Sequence, residues 1–299
     1  MFRRACYRAG MEREVGLGRT SPAATMPAAE PTRAHGAAEP SSADVSGRHT
    51  QAPITVRWLG RTAYREAWEL QKRLAAARAS GGIGDQLLLL EHPAVLTLGR
   101  HADPGHVLAP EPTLAARGIE LIRVERGGEV TYHGPGQLVA YPIVKLEDRG
   151  LMLRPYVRVL EAAMAETCAD FGVVAGRRDG HPGCWVDPDG PLPRKIGALG
   201  VRIERGVAYH GIALNVSVDL RDFGLIDPCG MPGLRSASIE SELGHDTPPT
   251  TESVAHAAAA FAESLGRQLG AQVDGPMPPS ADPVLERAAL DRLVPLAAS

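Results

Sequence analysis

Hydrophobic and polar positions change period several times between residues 51 and 270, and each change predicts an element. ITVRWLG (54–60) alternates with the period of two expected of a half-buried strand. From Thr62 to Ser80 the period lengthens, with Ala63, Trp68, Leu70, Leu74 and Ala75 near helical spacing, and Gly81-Gly82 supplies the stop. QLLLLEH and AVLTLGR are short apolar runs of strand length, separated at His92-Pro93. IELIRVE (119–125) and LVAYPIVKL (138–146) predict two more strands, with a glycine-rich loop between them. Arg154 to Phe171 returns to helical spacing through Val157, Leu160, Ala163, Met164 and Cys168. Residues 195–220 read as a hairpin turning near Glu204-Arg205-Gly206. A last helix, with Thr251 as its expected cap, keeps Val254, Ala258, Phe261, Leu265 and Leu269 in step.

Strands arrive in pairs, with helices between the pairs rather than after every strand. That order predicts an α+β fold with a mostly antiparallel or mixed sheet flanked by helices, not a doubly wound parallel sheet. No internal repeat interrupts it. Three segments follow: a disordered, low-complexity tail over 1–50, a catalytic domain over 51–270, and a Pro-rich tail over 271–299 with room for a short helix. The first tail is mostly Ala, Pro, Ser, Thr, Glu and Arg, and has no apolar period with which to offset its ordering entropy. Its early arginines resemble a transit peptide, but Glu12, Glu14 and Glu30 break the acid-poor pattern such peptides need.

Composition narrows the class. Lys and Arg number 32 against 35 Asp and Glu, for a net charge of -3, so no basic excess points to nucleic acid. No apolar run approaches the ~20 residues of a bilayer span, so no membrane partner is expected. Cys6, Cys168, Cys184 and Cys229 form no CxxC pair, which disfavours a disulfide scaffold and a structural metal site and fits a cytoplasmic protein.

Three segments carry candidate chemistry. RGGEVTYHGPGQ (126–137) packs four glycines and a proline between two apolar strands. Such a loop lets backbone approach a ligand closely, with Arg126, Thr131, Tyr132, His133 and Gln137 as polar groups; a tight connection around a core histidine is the plainer alternative. It matches neither GxGxxG nor GxxxxGK[ST], so a nucleotide loop is disfavoured. In KIGALGVRIERGVAYHGIALNV, Lys195 opens an apolar strand. It is either a solvated strand end or an amine held partly out of water, whose pKa burial would lower. Cys168 and Cys184 suit buried structural roles, whereas Cys229, between Pro228 and Gly230 in a turn, is placed where a reachable nucleophile would be displayed.

In order, the RGG-x-VTYHGPGQ, KIGALGVR, HGIALNV and DPCGM segments resemble the lipoyl(octanoyl) transferases, over roughly Val56 to Leu269. The resemblance implies the catalytic-domain fold shared with biotin and lipoate protein ligases. It implies Cys229 as the nucleophile that takes an octanoyl group from octanoyl-acyl carrier protein, and Lys195 as its partner and proton acceptor. Arg126, Gly127, Gly128, Glu129, Val130, Thr131, Tyr132 and His133 would bind substrate, with Ala198, Leu199 and Gly200 and with Gly211, Ile212 and Ala213. The implied acceptors are lysines on the lipoyl domains of 2-oxoacid dehydrogenase E2 subunits and on the glycine cleavage H protein. No cofactor and no metal are expected, and a monomer is the default. An ATP-dependent ligase would need a nucleotide site and no cysteine. A non-catalytic acyl-binding module would have no use for Cys229 with Lys195, and a cysteine hydrolase lacks a supporting Asp or Asn motif.

Overall fold

The computed structural model describes residues 51–244 and 251–295. The expected disorder of 1–50 and the placement of Cys6 lie outside the described residues. So does the expected cap at Thr251, whose side chain is not described. The strands are β1 (Gln51–Arg61), β2 (Asp85–Glu91), β3 (Val95–Leu98), β4 (Glu120–Arg123), β5 (Val130–His133) and β6 (Gln137–Lys145), then β7 (Ala175–Arg178), β8 (His181–Val186), β9 (Arg194–Glu204), β10 (Val207–Asn215), β11 (Arg235–Ser236) and β12 (Ala271–Asp274). The helices are α1 (Tyr64–Ala79), α2 (Glu111–Ala116), α3 (Leu153–Asp170), α4 (Ile239–Glu242), α5 (Thr251–Leu269) and α6 (Pro283–Leu293).

A nine-stranded mixed sheet runs β12-β1-β2-β6-β10-β9-β8-β7, with β11 beside β9. The β12–β1–β2 edge is parallel, and from β2 to β7 every neighbour is antiparallel. Helices cover both faces, which is why β2 is buried along its whole length and reads as a continuous apolar run rather than an alternating one. Leu87 and Leu89 face α3 and α5, while Leu88 and Leu90 face α1 and α6. The β9–β10 hairpin turns at Arg205-Gly206, both at positive φ, as a two-residue hairpin requires. A separate three-stranded sheet, β4-β3-β5, packs on its own apolar cluster, including Leu96, Leu98, Tyr132 and Ile226.

Two sequence expectations change. The glycine-rich stretch is not loop throughout: its centre is β5, paired antiparallel with β3, because Val130 and Tyr132 alternate into the small core. The C-terminal segment set apart at 271 is built into the fold. β12 adds a parallel strand beside β1, and α6 buries Leu290 and Val294 against Leu70, Leu74 and Leu88. Glu286 of α6 also pairs with Arg57 at 3.0 Å. Prolines spaced through 276–283 obscured a pattern that packing completes.

Candidate active site

Cys229 sits in the tight turn Pro228–Gly230, after Ile226 has anchored the chain in the small core. Asp227 N–H donates to the His106 carbonyl (2.8 Å), and Gly230 N–H returns to the Asp227 carbonyl (3.0 Å). This lock holds Cys229 at φ 59°, a left-handed conformation unusual for a side chain with a Cβ. Gly230 follows at φ +66°, and a Cβ there would come within 2.9 Å of the His106 ring, so a side chain would be strained and would have to displace that ring.

Lys195 is no solvated strand end. It is 8% exposed, and its Nζ donates to Cys229 Sγ at 3.1 Å and to the Pro182 carbonyl at 2.9 Å. The Trp185 ring lies 5.1 Å away. The register between β8 and β9 shifts between Cys184 and Trp185, and this bulge accompanies the placement of Lys195 beside Cys229. The lysine's main chain is also fixed, since its carbonyl accepts from Ala237 N–H at 2.9 Å.

A narrow pocket of about 50 Å³ runs inward from Cys229 between β5, β9 and β10. Arg126, Gly128, Glu129, Val130, Thr131 and His133 line it from one side, and Ala198 to Gly200 with Gly211 to Ala213 from the other. A wider cleft of about 670 Å³ opens outward from the same sulfur, past Gly127, Lys195, Trp185 and Met231. Tyr132 borders neither: alternation along β5 sends it into the small core against Phe223, with ring centroids 5.6 Å apart. Tyr64, Tyr141 and His210 complete the inner pocket and were not singled out as site residues from the sequence. Their signal is polar side chains at buried positions of α1, β6 and β10, visible only once those faces are known.

The glycine loop is held by Arg126. Its buried guanidinium donates to the Thr97 carbonyl (2.7 Å), to Thr97 Oγ1 (2.8 Å) and to the Gly127 carbonyl (3.0 Å). His133 Nδ1–H donates to Gln137 Oε1 at 2.8 Å, and Gln137 Nε2 donates to Asn215 Oδ1 at 2.9 Å. Asn215 passes the chain on to the Ala237 carbonyl (2.9 Å), next to the Lys195 backbone. Burial, with the neighbouring His92 ring and the Arg126 charge beside it, holds His133 well below the ordinary histidine range. It is a neutral wall of the pocket. Burial likewise lowers His92 to about 4 and raises Tyr64 to about 12, so this end of the pocket carries no ionised ring at neutral pH. Cys168 and Cys184 are buried behind the sheet. Their mutual hydrogen bond, then burial, pushes the Cys184 thiol far up, so it stays protonated.

A cysteine and a lysine thus stand in hydrogen-bond contact where the inner pocket and the outer cleft meet. The profile of the lipoyl protein ligase A/B catalytic domain matches residues 63–262, which places the chain in that class. Solved structures agree on the fold: a bipartite lipoate protein ligase from Thermoplasma acidophilum, described with its E2 lipoyl domain, superposes with TM-score 0.56 at 15% identity. That match covers 84% of this chain and 99% of the other. Within the class, the octanoyltransferase of Acidobacterium capsulatum is 50% identical over 223 residues, covering 72% of this chain and 89% of that protein. The octanoyltransferase of Chloroflexus aurantiacus is 48% identical over 218 residues, covering 73% and 92%. The chain belongs to the octanoyltransferase family: it is an acyltransferase that moves octanoyl groups in protein lipoylation.

Proposed function

We propose that Cys229 carries the octanoyl group as a thioester, taken from octanoyl-acyl carrier protein and delivered to a lipoyl-domain lysine. The observation that supports this most is the 3.1 Å contact between Lys195 Nζ and Cys229 Sγ, where inner pocket and outer cleft meet. A cation in hydrogen-bond range favours the thiolate, the form of cysteine that attacks. The thiolate adds to the donor carbonyl, the carrier's thiolate leaves and picks up a proton, and the chain lies in the inner pocket. The acceptor amine then enters by the outer cleft, adds to the same carbonyl and expels Cys229 as a thiolate. Lys195, having given up its proton, receives the one that the amine releases. Exchange between two thioesters is nearly balanced in energy and amide formation runs downhill, so the sequence needs neither ATP nor a cofactor. Arg126 and its loop, with Gly127, Gly128 and Glu129, shape the junction of the two cavities.

The E2 lipoyl domain of the Thermoplasma system belongs to that protein. For this chain, lipoyl domains of E2 subunits and the H protein are the acceptors we propose, with a cytoplasmic monomer as the working form. The test is intact mass after incubation with octanoyl-acyl carrier protein without ATP. An adduct of one octanoyl group is expected on the wild type and none on Cys229→Ser. An adduct that persists in Cys229→Ser, or one that needs ATP, overturns the reading.

A further inference from the structure

Glu161 is a buried carboxylate on the apolar face of α3, with its side chain 3% exposed, and the reaction above does not use it. Burying a carboxylate is costly unless it is bonded, so its partners matter. Oε2 accepts from Arg158 at 2.7 Å, one helical turn earlier, and Oε1 accepts from Gly183 N–H at 3.0 Å. The other end of that same peptide unit is the Pro182 carbonyl, which accepts from Lys195 Nζ at 2.9 Å. One continuous line of hydrogen bonds therefore runs from Arg158 through Glu161, the 182–183 peptide and Lys195 to Cys229 Sγ.

We propose that Glu161 is a positioning residue for Lys195, acting through the Pro182–Gly183 peptide; this rests on the Cys229–Lys195 reading above. An amide whose N–H is held by a carboxylate has a more strongly accepting carbonyl, because bonds in such a chain polarise one another. The carbonyl is thus aimed at Nζ and strengthened as the ammonium's second partner, while Nζ keeps its contact with the sulfur. The local backbone is shaped for this. Gly183 has φ +132°, and a Cβ there would stand 2.6 Å from Lys195 Cε and 2.6 Å from the Gly197 carbonyl. Only glycine lets the peptide lie against the lysine stem.

Other groups around this line are accounted for. Trp185 contributes its ring face to Nζ, with the Arg178 guanidinium 5.5 Å from the same ring and His181 edge-on to it. Arg126 and Glu129 flank Cys229 in the inner pocket. Behind Glu161 are the thiols Cys168 and Cys184, the latter held protonated. Glu161 is the carboxylate that this network joins to Lys195.

The experiment compares the pH profile of Cys229 alkylation by iodoacetamide, and kcat and KM for octanoyl transfer, in the wild type and four variants. In Glu161→Ala the profile should move to higher pH and kcat should fall on the order of tenfold to a hundredfold with KM little changed. Glu161→Gln keeps an oxygen for the Gly183 amide and should restore most of both. If Glu161→Ala does not fold, Glu161→Asp draws the carboxylate back by one methylene, and the same displacement is expected. A folded Glu161→Ala or Glu161→Asp with the wild-type profile and kcat overturns the proposal. Lys195→Ala separates the two readings. If its profile does not move, the cysteine–lysine reading has failed; if it moves while the Glu161 variants do not, only the positioning role has.

Discussion

At the scale of single residues, the fold holds the proposed nucleophile, Cys229, in a strained conformation. Cys229 is held at φ 59° by the Asp227–His106 and Gly230–Asp227 hydrogen bonds, and a non-glycine residue in that region costs on the order of 1–3 kcal/mol. The side chain is only half-buried. Glycine at the same position should therefore fold better than alanine, although both lose the sulfur. We expect Cys229→Gly to exceed Cys229→Ala in unfolding free energy by about 1 kcal/mol in urea. Equal stabilities would mean that the turn relaxes without its cysteine and that the conformation is not strained. Lys195 shows what sequence cannot supply at this scale. Its burial depends on β8 pairing beside β9 with a bulge, and nothing local to KIGALGVR marks that pairing.

At the scale of elements, legibility follows how local the cause is. The helices α1, α3 and α5 were readable because each carries its own apolar stripe and α1 and α3 end before a glycine at positive φ. The β9–β10 hairpin was readable because Arg205-Gly206 sets its turn. β5 was hidden because four glycines around it signal loop, while its pairing partner β3 lies more than thirty residues earlier. Likewise, Tyr132 was grouped with the substrate loop, yet strand alternation turns it away while Thr131 and His133 face the pocket. The α6 segment reads from sequence as a tail with room for a short helix, because three helical turns behind a proline-rich stretch say little until α1 and β2 provide a surface. That packing carries a prediction. Leu290 is fully buried among Leu70, Leu74 and Leu88, so Leu290→Ala should cost about 3 kcal/mol by denaturant titration. Ending the chain after residue 275 should cost more, since it also removes Val294 and the Arg57–Glu286 pair. A truncated protein as stable as the full chain would return this segment to the status of a tail.

At the scale of the whole molecule, the layer between the main sheet and the small one gathers neutral rings whose protonation the fold opposes. His92 is fully buried, donating from Nδ1 to the Thr62 carbonyl (2.7 Å) and accepting at Nε2 from the Tyr141 hydroxyl (2.8 Å). Burial lowers it from 6.5 to about 4, and His133, 5.7 Å away between ring centroids, is displaced in the same direction. Between pH 6.5 and 4 the unfolded chain binds a proton at His92 that the native state does not, so stability is full above pH 6.5 and falls as the solution is acidified. The shift corresponds to about 3 kcal/mol by pH 4 from His92 alone, a large share of a typical domain's stability. Glu125 adds a loss only at lower pH. The His210 ring 3.6 Å away and the hydrogen bond from the Trp68 indole (2.9 Å) outweigh its burial and hold it at about 2, so its contribution disappears as pH drops from 4.5 towards that value. Urea titrations at pH 7.5, 6, 5 and 4 should therefore show stability falling steadily with acidification. In His92→Gln, whose amide can serve both neighbours without taking a proton, the slope between pH 6 and 4 should flatten by close to one proton. Parallel slopes for the two proteins would show that His92 titrates alike in both states, and that the layer between the sheets admits charge.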